Sequence, residues 1–185
     1  MSRALYGGAL LGSTSQWLAR TPGVLRAHVQ GQSRETLDRR PGSSAWSQTE
    51  ILAHLADFEV VCFQARVEHI LRGEPIPSLS ADERAAEIPY AAINPFASLE
   101  VFERERERSL ARIQQLSPEQ LERRALHREK GEMTLARLLT EWVDHDLWHI
   151  RQLVTTTAQI LQPDAEPELR APGSKGISGR AVAIL

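Results

Sequence analysis

Residues 134–161 read TLARLLTEWVDHDLWHIRQLVTTTAQIL, a long stretch of uninterrupted helical periodicity. Its apolar residues recur at intervals of three and four, which places them along one face of an α-helix. That face consists of Leu135, Leu138, Leu139, Trp142, Val143, Ile150 and Leu153. Thr134 is suited to cap the N-terminus, and Pro163 and Pro167 end the pattern. The stretch therefore predicts a long amphipathic helix that packs against other helices.

The rest of the chain carries further helical patterns. Four more segments are predicted to be helices, at about 21–38, 47–72, 96–116 and 118–124. Thr21-Pro22 is a typical start for the first of them, and Ser47 with Glu50 forms a capping box at the start of the second. No convincing alternating strand pattern is present, so the sequence predicts an all-α fold.

The helices divide the chain into three parts. Residues 1–20 are expected to form a flexible leader, 21–161 a helical bundle domain, and 162–185 a Pro- and Gly-containing C-terminal tail. Within the bundle, the connection from Gly73 to Pro95 is long and rich in proline, with one short helix around 81–86. Such a connection is expected to cross the bundle or to carry function.

Composition excludes several classes of protein. The chain has 185 residues, 42% hydrophobic and 25% charged, with a formal net charge of -2. These values fit one globular domain, and the scattered basic residues argue against a nucleic-acid partner. No apolar run approaches the roughly 20 residues that span a bilayer. The single cysteine, Cys62, excludes an intrachain disulfide and suits the cytoplasm, where we expect the protein to reside.

The two histidines of the quoted stretch, His145 and His149, lie four residues apart and so project from one face of the helix. His54 lies on the apolar face of the 47–72 helix, and all three are expected to point inward. Buried imidazoles require partners, and three of them on two facing helices can hold one divalent transition metal with an open position. The alternative is that they only form hydrogen bonds in the core.

Three charged residues near the histidines are further candidates for substrate-binding or supporting roles. Glu59 and Arg66 flank the His54 face two turns apart, where they either form a structural ion pair or line a pocket for an anionic substrate. Asp146 occupies the place of the general base in a zincin helix. Because Asp is shorter than Glu, we expect Asp146 instead to support a histidine or to form an interhelical hydrogen bond.

Other conspicuous residues are expected to be structural. Cys62 is predicted to fill the core, and His28 and His127 to lie at the surface or at the bundle ends. His69 lies roughly 22 Å from His54 along the helix axis, too far to share an ion. The charged run Glu103–Arg108 is predicted to be a solvated helix face.

Two strings carry a resemblance to a known family. WSQTEILAHLAD at 46–57 resembles the first histidine helix of the DinB/YfiT-like metalloenzyme family, and the 134–153 stretch with His145-Asp146 and His149 resembles its last helix. The Pro22 start and Gly131 before Thr134 also fit. The resemblance covers about 21–158, and no departure is evident at the three histidines.

The resemblance implies a four-helix bundle with a long crossover between its second and third helices. It implies that His54, His145 and His149 bind zinc, nickel or a similar ion, often in a homodimer. It further implies activation of a small thiol or of water, for transfer or hydrolysis of a small-molecule substrate, with thiol transfer slightly favoured. A metal-binding or stress-response protein without turnover remains the alternative from another class.

Overall fold

Four long helical rods form the molecule. The computed structural model describes residues 3–162, with side chains from residue 7. The first rod is α1 (Arg3–Val29), the third is α6 (Pro95–Gln114) and the fourth is α7 (Leu135–Leu161). The second rod is a continuous segment made of α3 (Gln48–Phe58), a π-helical turn (Glu59–Gln64) and α4 (Ala65–Arg72). The shorter helices are α2 (Arg34–Asp38) and α5 (Ala81–Glu87), with 3-10 turns at Tyr90–Ala92 and Pro118–Glu122. The predicted helical bundle is confirmed.

The order of the rods around the bundle differs from their order in the chain. Helix α6 packs against both α1 and α3, and α7 also packs against α1 and α3. The first and second rods therefore lie diagonally across the bundle, as do the third and fourth. The 73–95 connection, which includes α5, is the crossover that this topology requires.

Local sequence explains several helix ends. Ser47 and Glu50 form both hydrogen bonds of the predicted capping box. Thr134 Oγ1 accepts a hydrogen bond from the Arg137 N–H at the start of α7. Gly73 ends α4 with a φ of 72°, a backbone conformation that favours glycine. These capping residues could be predicted from the sequence because each one acts on the backbone at the end of its own helix.

The predicted start of the first helix is wrong. Helix α1 begins at Arg3, so the described part of the expected leader is helical, and Pro22 lies inside the helix. Pro22 has no N–H for the carbonyl of Leu18, four residues earlier. That carbonyl instead accepts a hydrogen bond of 2.9 Å from Arg106 Nη1, so the helix continues through the proline. The predicted helix also ends early, at Val29, and α2 follows after a turn.

The connector after the 3-10 turn contains two short strands that the sequence analysis did not predict. Strands β1 (Arg124–His127) and β2 (Gly131–Thr134) pair antiparallel, with Ala125 opposite Met133. Each strand has four residues, too few to show an alternating pattern against the helical background. The expected C-terminal tail lies outside the described residues except for Gln162. None of the described helices is long and apolar enough to cross a bilayer.

Candidate metal centre

The three predicted histidines meet in the interior of the bundle. His54 comes from α3, and His145 and His149 come from consecutive turns of α7. All three side chains are buried, and their candidate ligand nitrogens lie within 4.8 Å of one another. His54 Nε2 is 3.2 Å from His145 Nε2. Two nitrogens bound to one tetrahedral zinc ion at 2.0–2.1 Å lie about 3.3 Å apart, so this spacing suits a shared ion.

The packing of the two helices places the cluster between two apolar regions. One contains Phe58, Phe63 and Trp142, and the other contains Leu55 and Leu153. Because each histidine occupies a buried position on the largely apolar inward face of its helix, the helix packing itself brings the imidazoles together. The predicted inward orientation of the three histidines is confirmed.

Aromatic rings enclose the histidines. The Phe58 ring lies 4.0 Å from the His54 ring and stacks on His145, with centroids 6.0 Å apart. Trp46 approaches His54 edge-on at 5.2 Å, and Tyr90 of the crossover approaches it at 6.1 Å. These rings restrict the imidazole orientations and remove water from around them.

Burial fixes the protonation state of the cluster. It lowers the pKa of His54 and His145 well below the ordinary histidine value, and the neighbouring His149 lowers both further. The same desolvation lowers the pKa of His149 to about 4, although its hydrogen bond to Gln152 opposes the shift. All three rings are therefore neutral at neutral pH, which is the form that binds a metal.

The hydrogen bond to Gln152 also selects a tautomer. His149 Nδ1 lies 2.8 Å from Gln152 Oε1, an acceptor, so Nδ1 carries the proton and Nε2 keeps its lone pair. Among the described residues, Nδ1 of His54 and of His145 has no hydrogen-bond partner. Three imidazole nitrogens are a donor set that suits zinc, nickel and related ions. The residues present therefore fit a single divalent transition metal.

Comparison with known proteins identifies the family and the fold of the chain. The family model described as the DinB superfamily matches residues 18–153. The chain belongs to the DinB superfamily. Among solved structures, this DinB-superfamily chain is similar to YfiT from Bacillus subtilis, with a TM-score of 0.73 and 22% sequence identity. The aligned region covers 81% of this chain and 87% of YfiT.

YfiT is described as a probable metal-dependent hydrolase with an unusual four-helix bundle topology. At this identity the likeness establishes the fold, and it confirms the predicted four-helix bundle of the DinB/YfiT type. A search of curated proteins found no match.

Beside the histidines of this DinB-superfamily protein lies a buried ionic network centred on Arg106. Its five N–H groups donate to Glu59, Asp146 and the Leu18 carbonyl at 2.6–3.0 Å. Glu59 also accepts from Ser109 Oγ and Trp142 Nε1. Burial lowers the pKa of Arg106, but the carboxylates of Asp146 and Glu59 outweigh this effect and hold it above its ordinary value.

The hydrogen bonds of this network define the roles of two residues singled out in the sequence, Asp146 and Glu59. Asp146 accepts hydrogen bonds from Arg106 and from Thr21 of α1, which confirms the expected interhelical contact. Glu59 pairs with Arg106, so the proposed ion pair between Glu59 and Arg66 is wrong. Because both carboxylates are engaged in strong hydrogen bonds, neither is placed to act as the base of a zincin.

Arg106 was missed by the sequence analysis, which assigned the run Glu103–Arg108 to a solvated face. Arg106 is fully buried, and Glu105 is largely buried too. The helical spacing could have predicted that Arg106 is buried. It falls within a series spaced at three and four residues that also contains Leu99, Phe102 and Ser109, on the inward face of α6. A buried arginine is tolerated there because two carboxylates compensate its charge.

The remaining sequence candidates lie outside the cluster. Cys62 is fully buried, as predicted, and burial raises the pKa of its thiol to about 11. His28 contacts Gln48 and Thr157, and His69 lies at the end of α4, outside the histidine cluster. His127 was expected at the surface or at a bundle end; it ends β1 of the hairpin that precedes α7, and it is not at the surface, as only 1% of it is exposed.

Proposed function

We propose that this protein is a metal-dependent enzyme of the DinB superfamily. In it, His54, His145 and His149 hold one divalent transition metal, zinc or nickel. The observation that carries the proposal is the buried cluster of three neutral imidazoles. Within the described residues this cluster has no fourth His, Cys, Asp or Glu ligand. Three protein ligands with a remaining open position are typical of catalytic rather than structural zinc sites.

When bound, such an ion would supply Lewis acidity that could activate water or a thiol as a nucleophile at neutral pH. The chain's own residues prepare the site for this chemistry. Burial keeps the imidazoles unprotonated, and Gln152 holds the proton of His149 on Nδ1. The aromatic rings of Phe58 and Trp46 exclude water and limit the movement of His54.

We propose that the crossover contributes to substrate binding. Arg84 of α5 donates two hydrogen bonds to Asp57, and the Tyr90 hydroxyl donates a third. Since Asp57 lies one turn after His54, these contacts hold the 73–95 connection beside the histidines. A small-molecule substrate that reaches the site would therefore contact this segment.

The proposed reaction is transfer of a low-molecular-weight thiol to an electrophile, or hydrolysis. Resemblance to the DinB/YfiT-like family supports both, and the description of YfiT supports hydrolysis for that relative. We further propose that the protein acts in the cytoplasm as a homodimer. The alternative function is metal binding without turnover.

Elemental analysis of tag-free protein tests the metal site. Wild type, His54→Ala, His145→Ala and His149→Ala are compared with His69→Ala, which removes a histidine outside the cluster. We expect close to one equivalent of metal in wild type and His69→Ala, and loss of metal in the other three. Wild type that remains metal-free after exposure to zinc and to nickel would refute the proposal.

Activity is tested on the metal-loaded protein with two assays run in parallel. One follows consumption of a free thiol in the presence of an electrophile, and the other follows ester hydrolysis without thiol. Activity in either assay that is lost in His145→Ala supports the enzyme. Metal binding without turnover in both assays would favour the non-catalytic alternative.

A further inference from the structure

A second polar cluster lies beneath the β-hairpin, apart from the Arg106 network. Helix α4 packs against both β1 and α7. Arg66 comes from the first turn of α4, His127 ends β1, and Lys130 lies in the turn that follows. The backbone of Ile76, just beyond α4, pairs with the end of β1 and closes this region.

The hydrogen bonds of His127 define its proton position. Its Nδ1 accepts from the backbone N–H groups of Glu129 and Lys130 at 3.2 and 3.3 Å. A neutral imidazole that accepts at Nδ1 carries its proton on Nε2. That Nε2–H is buried and has no acceptor among the described residues. His127 therefore presents an unused hydrogen-bond donor to the protein interior.

Arg66 presents a second unused donor. Only 2% of its surface is exposed, and its buried Nη1 has no hydrogen-bond partner within residues 3–162. The nearby carboxylate of Glu141 is already shared between Lys130 and Arg137. Among the described residues, no carboxylate therefore forms an ion pair with Arg66.

We propose that Arg66 Nη1 and His127 Nε2, flanked by Lys130, bind a small oxyanion, a carboxylate or phosphate group, beneath the hairpin. Buried donors are almost always paired, and an unpaired one calls for an unseen partner such as an ion or ordered water. A guanidinium removed from water also needs an opposite charge, which favours an anion over water. Arginine is the side chain best suited to carboxylate and phosphate groups.

The charges of the region agree with this assignment. Burial lowers the pKa of His127, and the positive charges of Arg66 and Lys130 lower it further. The negative charges of Glu129 and Glu141 oppose this shift but are weaker. The pKa of Lys130 is also lowered, and burial is the largest cause. The positive charge of Arg66 adds to this shift, whereas the carboxylate of Glu141 opposes it. A bound anion would relieve the repulsion among these groups.

Thermal unfolding of the full chain in the presence of sodium phosphate or sodium acetate tests the site. The protein is freed of metal and chelator beforehand, and 10 mM anion replaces chloride at constant ionic strength and pH 8. If the site binds the anion with a Kd of about 1 mM, the wild-type Tm rises by about 3–6 °C. Phosphate and acetate are measured separately, so that a tetrahedral and a planar anion are distinguished.

Two variants connect this rise to the proposed donors. Arg66→Met removes the guanidinium, and His127→Asn removes Nε2 but keeps an acceptor near the position of Nδ1. We expect both to reduce the rise to less than about 1 °C, whereas the exposed control Arg72→Met on the same helix keeps it in full. If Arg66→Met does not fold, His127→Asn and calorimetric phosphate titration decide the question.

An absence of any rise in wild type with either anion would overturn the proposal, and so would a rise that survives in Arg66→Met and His127→Asn. Because the protein is metal-free in these measurements, the result does not depend on the function proposed for the three histidines.

Discussion

The carbonyl oxygen of Leu18 accepts a hydrogen bond from Arg106 Nη1, in place of the backbone N–H that Pro22 lacks. The same guanidinium binds Glu59 at the π-helical turn and Asp146 on α7. One side chain therefore connects all four rods of the bundle. Asp146 directly follows His145, so this connection also fixes the turn of α7 that carries the histidine.

Substitution of Arg106 by methionine should destabilise the protein strongly. The change leaves two buried carboxylates without their counter-charge, and breaking a buried ion pair costs about 3–5 kcal/mol. Arg108→Met on the same helix is the control, because that side chain is exposed and its pair with Glu105 should contribute no more than about 1 kcal/mol. Urea unfolding measures both. Equal losses in the two variants would contradict a special role for Arg106.

A double-mutant cycle tests the link between Pro22 and Arg106. Pro22→Ala restores an N–H that can donate to the Leu18 carbonyl. In the Arg106→Met background this carbonyl has lost its other donor, so Pro22→Ala should stabilise the protein more there than in wild type. The expected coupling is about 1 kcal/mol, the value of one hydrogen bond. Additive effects in urea unfolding would mean that Arg106 does not compensate for the proline.

Much of the fold and of the metal cluster could be predicted because the relevant signals are local. Ser47 and Glu50 satisfy backbone groups within one turn, and the apolar periodicity around His145 and His149 shows which way they point. The Arg106 network could not be predicted in the same way. Its charge balance depends on residues 40 to 88 positions away, such as Asp146 and Leu18. The same long-range contact explains why Pro22 does not mark a helix start.

The pH dependence of stability should contain a contribution from His127. Burial and the charges of Arg66 and Lys130 lower its pKa in the folded state, and protonation at Nδ1 would also break two hydrogen bonds. The unfolded chain, with a histidine pKa of about 6.5, then binds more protons than the folded protein as the pH falls. The stability contributed by neutral His127 is complete above that value and is lost progressively below it.

Comparison of wild type with His127→Asn isolates this contribution, because the other histidines are the same in both proteins. We expect the difference in unfolding free energy between the two to shrink as the pH falls from about 7.5 to about 5.5. The measurement uses urea unfolding in buffer without phosphate or carboxylate. A difference that stays constant over this range would show that His127 does not titrate differently in the folded state.

Gln152 should control metal affinity without being a ligand. Its Oε1 accepts the Nδ1 proton of His149, which orients the ring and leaves Nε2 available. Loss of such a supporting hydrogen bond costs about 10- to 100-fold in metal affinity. We therefore expect Gln152→Ala to bind zinc about 10- to 100-fold more weakly than wild type in competition with a chromogenic chelator.

Gln159→Ala provides a matched control, since Gln159 lies two turns further along α7, beyond the histidines. This variant should retain wild-type affinity for zinc. A Gln152→Ala protein that folds normally and binds zinc as tightly as wild type would show that packing by Trp148 and the neighbouring rings alone orients His149. A loss of affinity confined to Gln152→Ala would instead identify the hydrogen bond as the feature that prepares His149 to bind the metal.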